Sequence, residues 1–243
     1  MGKKILITGA STGIGAASAL ELAPGNELFV HYNNSKSEAE YVAAGVNARG
    51  GRAHLVRADL MNEAGCKALH EVVAAETDRL DVLVNNAGGM LQRHDVKTVT
   101  WDLMERIFAL NTFSTMLVTR LFIPLLEKSG NGCIVNMTSI AMRTGSPTST
   151  LYASSKAAVD SFTRGSAREL APKIRVNAIA PGVILTPFHD RYSSTERLDK
   201  LKKDTPLGEH GAVEHIASAI RFLIDNDFIT GETIDINGGM FMR

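Results

Sequence analysis

The sequence has no surplus of charge of either sign: 26 lysines and arginines balance 26 aspartates and glutamates. The basic footprint of a nucleic-acid-binding protein is therefore missing. Only 2 cysteines occur, Cys66 and Cys133. They stand far apart and form no C-x-x-C, which argues against a disulfide scaffold or a zinc ribbon. Cys133 lies in a strand-like run and reads as a small buried apolar residue. His210 and His215 are five positions apart, so they do not share a helix face, and no metal is expected. The apolar run after Lys3-Lys4 is too short for a signal peptide, and no stretch reads as long enough to span a membrane. A soluble, cytoplasmic protein is the expectation. Internal repeats and low-complexity tracts are also missing.

What is there is an alternation. Hydrophobic residues at 44% and charged residues at 21% are ordinary for a globular chain. Short apolar runs at 5–8, 27–32, 53–57, 81–84, 132–137, 174–180 and 233–236 read as strands. Between them, 14–22, 37–49, 63–77, 101–128, 151–170 and 212–223 carry helical patterns. Pro124 is expected to end or kink the long helix. Residues 187–210 are polar and irregular, and read as a substrate lid. The pattern runs without a linker, so we expect one domain over 1–243. Its class is α/β: a doubly wound, Rossmann-type parallel sheet of about seven strands with helices on both faces. Ligands should lie beyond the carboxyl ends of the strands.

The first strand meets the first helix at Thr8-Gly9-Ala10-Ser11-Thr12-Gly13-Ile14-Gly15. Glycines there let backbone turn sharply and approach a pyrophosphate, at which the helix aims its N-terminal N–H groups. A simple tight turn is the plainer reading. An acid about 20 residues on would grip the ribose 2′-OH of NAD. Here the second strand ends His31-Tyr32-Asn33-Asn34-Ser35-Lys36, with no acid before Glu38. Amides, a hydroxyl and an ammonium can bind a 2′-phosphate, although Asn-Asn-Ser is also ordinary turn chemistry. The cofactor expected is NADP(H) in preference to NAD(H).

Tyr152 and Lys156 are spaced i, i+4 and share one helix face. A free tyrosine, with a pKa of about 10, is a poor base at neutral pH, and bringing it to about 7 takes roughly 4 kcal/mol. An ammonium and a bound nicotinamide cation in a partly desolvated site can supply that. Ser139 ends the fifth strand, where its hydroxyl can meet a substrate oxygen. Singly, Y-x-x-x-K describes many surface pairs, and a serine after a strand is usually a turn residue.

Taken together, the chain resembles the short-chain dehydrogenase/reductase family from Lys3 to its end. The resemblance rests on the TGASTGIG loop, Asn85-Asn86-Ala87-Gly88, Asn111, Ser139, Tyr152-x-x-x-Lys156 and Pro181-Gly182, in that order. It implies Tyr152 as general acid/base and Ser139 as the group positioning the carbonyl. Lys156 would lower the tyrosine's pKa and bind the nicotinamide ribose. Asn111 would hold a proton-relaying water. The same resemblance places the dinucleotide along Gly9, Ser11, Thr12, Gly13, Ile14 and Gly15, then Asn33, Asn34 and Ser35. Asp59, Leu60, Asn86, Ala87 and Gly88 would follow near the adenosine side. Tyr152, Lys156, Pro181, Gly182, Val183 and Thr186 would complete it, Thr186 at the carboxamide.

The ending around Asn237-Gly238-Gly239 is similar to that of 3-oxoacyl-acyl-carrier-protein reductases, although Thr12 stands where those enzymes often carry an arginine. Lys128 and Lys173 would then meet an acidic carrier protein. The rival is a sugar or keto-sugar-acid reductase, with Arg143, His189 and Arg191 facing a carboxylate. A non-catalytic NADP(H) sensor on the same fold stays open, although it would have no need of an acid/base. The long helix adds one more expectation. With Ile107, Leu110, Phe113, Leu117 and Leu121 turned to the sheet, Phe108, Met116, Val118, Phe122 and Ile123 remain. That excess marks an interface and predicts a homo-oligomer, a tetramer.

Overall fold

The computed structural model describes residues 2–242. Seven strands form one sheet: β1 Lys4–Ile7, β2 Glu27–Tyr32, β3 Arg52–Arg57, β4 Val82–Asn85, β5 Gly132–Met137, β6 Ile174–Pro181 and β7 Thr233–Ile236. Their order is β3-β2-β1-β4-β5-β6-β7, every pair parallel. The chain winds outward to β3, then returns to lay β4 against the free side of β1. The loops after β1 and β4 diverge there and open a crevice. Side chains alternate across the sheet. Ile5, Ile7, Val82, Val84, Cys133 and Val135 face one core, and Leu6, Leu83 and Ile134 the other. Cys133 is thus the buried apolar residue its sequence context suggested, and burial pushes its thiol up to about 11.

The first core is covered by α1 Gly13–Glu21, α2 Lys36–Ala48 and α10 Val213–Asp225. The second is covered by α3 Glu63–Glu76, α5 Ser114–Glu127 and α7 Thr150–Leu170. Three expectations about the long helix need correcting. First, it is two helices, α4 Trp101–Phe108 and α5, joined through a π turn over Ala109–Phe113. The wider turn shifts the phase of everything after it. Val118 and Phe122 therefore face the sheet, fully buried, while Phe113 is 56% exposed. Second, the helix runs past Pro124 to Glu127. The carbonyl that loses its partner belongs to Arg120, which is exposed, so water can serve it. Third, Trp101–Glu127 is 27 residues with a mean hydropathy of 1.4 in its most apolar window, long and apolar enough to cross a bilayer. Half of that window is buried within the fold, as a core helix is.

The segment expected to be irregular folds into α8 Pro187–Tyr192 and α9 Thr195–Asp204. Proline at the first turn starts α8 and Ser194 caps α9, accepting from the Arg197 N–H at 3.3 Å. Neither helix buries a residue. A four-residue helix, α6 Ala141–Thr144, was not read from the sequence either.

Candidate active site

The crevice opens into a cavity of about 740 Å³ over the carboxyl ends of the strands. It is lined by every residue predicted for the dinucleotide except Gly15, and by Ser139, Tyr152 and Lys156. Gly15 lies just behind the loop. A Cβ there would sit 2.3 Å from the Gly9 carbonyl and 2.6 Å from the Asn86 amide nitrogen, so only glycine lets α1 pack this close. The α1 N-terminus carries no acid in its first turn and no capping side chain. Its first N–H groups therefore remain available to an anion.

Two side chains hold this loop. The Thr8 hydroxyl accepts from the Asn86 and Ala87 N–H groups at 3.0 Å, and the Asn86 amide donates to the Thr8 and Gly9 carbonyls at 2.9 Å. Asn86 thus stitches the two loops of the crevice together. His31 was not singled out from the sequence. Its Nδ1 accepts from the Gly9 N–H at 2.9 Å and its Nε2 faces the Ala58 carbonyl at 3.1 Å. That pairing requires one neutral tautomer, with the proton on Nε2. Burial holds its pKa down at about 4, against the opposing pull of the Ala58 carbonyl and Asp59.

At the far edge, Asn33 donates to Asp59 at 3.4 Å, and Arg57, also unremarked in the sequence, donates to the Asn33 carbonyl at 3.2 Å. A cation therefore stands beside the turn read as a 2′-phosphate seat.

At the other end Tyr152 and Lys156 lie on the first turns of α7. The ammonium is 6.0 Å from the phenol ring centre and donates to the Met137 carbonyl at 2.8 Å. Burial lowers Lys156 to about 8. Burial also raises Tyr152, with the Ser139 hydroxyl acting in the opposite sense. The phenol rests protonated, the form that can give a proton to a developing oxyanion.

Asn111 lies behind the cavity wall, fully buried in the π turn. Its amide donates to the Gly89 and Ile107 carbonyls at 2.8 and 2.9 Å and accepts from the Gly89 N–H at 2.9 Å. Both amide hydrogens are spent on backbone, so this side chain braces the loop and has no donor left for a water. Gly88 is wedged against it: a Cβ would lie 2.7 Å from the Asn111 oxygen and 3.1 Å from the Lys156 nitrogen.

One expectation about the substrate does not survive the geometry. Arg143 turns away from the cavity to Asp160 and Asp235, at 3.7 and 3.4 Å. Lys128 and Lys173 flank β5 and β6 at their amino ends, opposite the cavity, and Lys173 is paired with Glu127 at 3.3 Å. His189 and Arg191 do line the cavity, together with Arg93, Arg197, Phe188 and Tyr192. No three His, Cys, Asp or Glu side chains converge as a metal site among the described residues.

The comparisons with known proteins agree with this geometry. Residues 9–241 match a family model described as enoyl-(acyl carrier protein) reductase. The chain belongs to the short-chain dehydrogenase/reductase family. It is 37% identical to a 3-oxoacyl-[acyl-carrier-protein] reductase of Synechocystis, covering 98% of this chain and 96% of that protein. It is 35% identical to the Staphylococcus aureus enzyme of the same name, over 100% of this chain and 99% of that one. Among solved structures, an NADH-dependent reductase responsible for alginate metabolism superposes with a TM-score of 0.91 at 30% identity, covering 100% of this chain and 98% of that one. The protein is therefore an NAD(P)-dependent oxidoreductase of this family.

Proposed function

We propose that the protein is an NADPH-dependent reductase of ketones, with Tyr152 as proton donor. The observation that carries this is the Tyr152 phenol beside Ser139 and Lys156 in the same cavity as the glycine loop. The cradle fits a dinucleotide: an uncapped α1 N-terminus for the pyrophosphate, and amides with Arg57 and Lys36 nearby for a 2′-phosphate. A nicotinamide bound there supplies the hydride. The Ser139 and Tyr152 hydroxyls donate to the ketone oxygen and hold it. As hydride reaches the carbon, the oxygen gathers charge and the Tyr152 proton moves to it. Lys156 keeps a positive charge below that phenol and offers a donor to the nicotinamide ribose. Asn111 acts through Gly88 and Gly89, fixing the wall against which Lys156 lies.

For the substrate, a 3-oxoacyl thioester is the first reading, supported by the names of the curated relatives. Loss of Lys128 and Lys173 from the cavity side weakens it. A keto acid of the sugar type is the second, and His189 and Arg191 on the cavity wall favour it. A pure sensor would have no use for a phenol placed this way. A cytoplasmic location goes with this chemistry, and both cysteines are free. Trp101, 73% exposed, and Phe113 support a homo-oligomer, with α4, α5 and α7 at an interface of a tetramer. Light scattering tests that; a clean single-chain mass at micromolar concentration would contradict it.

The test of function is a kinetic screen with NADPH and NADH against acetoacetyl thioesters, keto-sugar acids and neutral diketones. Oxidation of NADPH in preference to NADH with at least one ketone is expected. A protein that binds NADH tenfold tighter than NADPH would overturn the cofactor assignment.

A further inference from the structure

The substrate end of the cavity carries an imbalance of charge that the chemistry above does not use. Arg93, Arg191 and Arg197 all border it. None forms an ion pair among the described residues. Other arginines do find carboxylates: Arg52, Arg79, Arg106, Arg143, Arg164 and Arg221 each have one within ion-pair range. Among the described residues the one carboxylate on the cavity wall is Asp59, at the opposite end beside Asn33.

Geometry ties this cluster to the reacting end. The Tyr152 ring packs on Phe188 at 5.8 Å, and Phe188 packs on Tyr192 at 4.9 Å. Arg93 then donates through Nε to the Tyr192 carbonyl at 2.6 Å and through Nη1 to the Thr148 hydroxyl at 3.0 Å. Those two bonds pin its guanidinium to both α8 and the loop before α7, leaving Nη2 unengaged. The Arg197 side chain makes no hydrogen bond among the described residues. The field is felt by its neighbours. Burial first, then His210, Arg93 and Arg197, hold His189 below its ordinary pKa, with Asp190, exposed and outside the lining, opposing. Arg93 is itself lowered by burial and then by Arg197. Three unpaired cations on the wall of a cleft repel one another unless an anion joins them.

We infer that Arg93 and Arg197 form an anion subsite that takes a carboxylate of the substrate, so that the preferred ketone is an oxo acid and not a neutral ketone. This inference rests on the ketone-reductase reading and specifies its substrate class. The remaining Nη2 of the fixed Arg93 donates to one carboxylate oxygen, and the unencumbered Arg197 closes from α9 to donate to the other. An aromatic wall, Phe188 and Tyr192, lies between the carboxylate and the carbonyl held by Tyr152.

The test is steady-state reduction of straight-chain oxo acids, from acetoacetate to 5-oxohexanoate, each beside its methyl ester, with acetoacetyl-coenzyme A as a further substrate. At one or more chain lengths the acid should exceed its ester in kcat/KM by about tenfold or more, the scale of hydrogen bonds to a charged group. Arg197→Gln removes no internal bond, so it should fold normally. It should raise KM for the acid about tenfold while leaving the ester unchanged; Arg93→Gln, which also frees α8 from the loop before α7, should cost the acid at least as much and slow the ester as well. Lys128→Gln, with the same loss of charge far from the cavity, should change neither. Esters reduced as well as acids at every length, or a preference that survives both arginine substitutions, would overturn the subsite while leaving the reductase reading intact. Failure of every ketone to consume NADPH would overturn the reductase reading and the subsite with it.

Discussion

At the dinucleotide end of the cavity the shape is set by backbone. Gly9 and Gly13 turn the chain, Gly15 lets α1 pack against the loop, Thr8 and Asn86 tie two loops together, and His31 holds the Gly9 N–H from below. At the substrate end the shape is set by side chains on two short helices that bury nothing, with Arg93 reaching across to hold one of them. The first end is a rigid seat, braced backbone to side chain at every turn. The second is an adaptable wall of side chains carried by elements that bury nothing. Substitutions at the two ends should therefore fail in different ways.

The largest contrast is expected at Gly15→Val. The new side chain collides with the Gly9 carbonyl, a backbone atom that cannot move away cheaply. Overpacking of this kind costs about 1–3 kcal/mol, and nearly all of it should fall on the cradle. Fluorescence titration should show NADPH affinity down by about tenfold to a hundredfold, and an unchanged affinity would break the claim of rigidity.

A comparable effect, but one confined to acid, belongs to His31. Its folded pKa is about 4, below its ordinary 6.5, because the neutral ring is what the fold holds. Above pH 6.5 both folded and unfolded forms are neutral and nothing is lost. As pH falls from 6.5 towards 4 the unfolded chain takes up a proton that the folded one refuses. Stability then drops by up to about 3 kcal/mol, and the loss is complete below 4. Urea midpoints measured from pH 7 to 4 should fall more steeply for the wild type than for His31→Gln. Parallel slopes would remove His31 from the explanation.

The smallest effect is expected at the substrate end. Ser194→Ala deletes the cap of α9, worth about 1 kcal/mol locally. Because α9 buries no residue, the urea midpoint and NADPH affinity should stay where they are, and only substrate KM should move, by a few-fold. A shift in global stability would mean that α9 is part of the core and not an adaptable wall.

Much of the first end was legible in the sequence, because it depends on residue types with few substitutes. Glycine spacing, the strand patterns and the Tyr152–Lys156 interval carry their geometry in their chemistry. The seven strands emerge within a residue or so of their predicted bounds for the same reason: both faces of a parallel sheet are buried. The long helix was misread past Ala109 because a π turn adds a residue to one turn without any proline or glycine to announce it. Of the expected stripe Leu125 stays buried, Leu117 and Leu121 pack only partly against the core and Phe113 turns outward, while Val118 and Phe122 take the fully buried places. The arginines of the substrate end were not legible because nothing local distinguishes Arg93 or Arg197 from a solvated surface charge. Only the tertiary fold brings loop 89–95 against α8 and α9. Asn111 was found by resemblance, but its commitment to Gly89 and Ile107 depends on that same unannounced π turn.

The central claim is that a protonated Tyr152 phenol delivers the proton while the rest of the cavity binds and positions. Tyr152→Phe keeps the ring that packs on Phe188 and removes only the hydroxyl. Single-turnover reduction with NADPH and a ketone accepted by the wild type measures that step directly. A loss of at least about a hundredfold in the hydride-transfer rate is expected, the low end for general acid–base catalysis, with NADPH affinity unchanged. A variant that turns over near the wild-type rate would contradict the account.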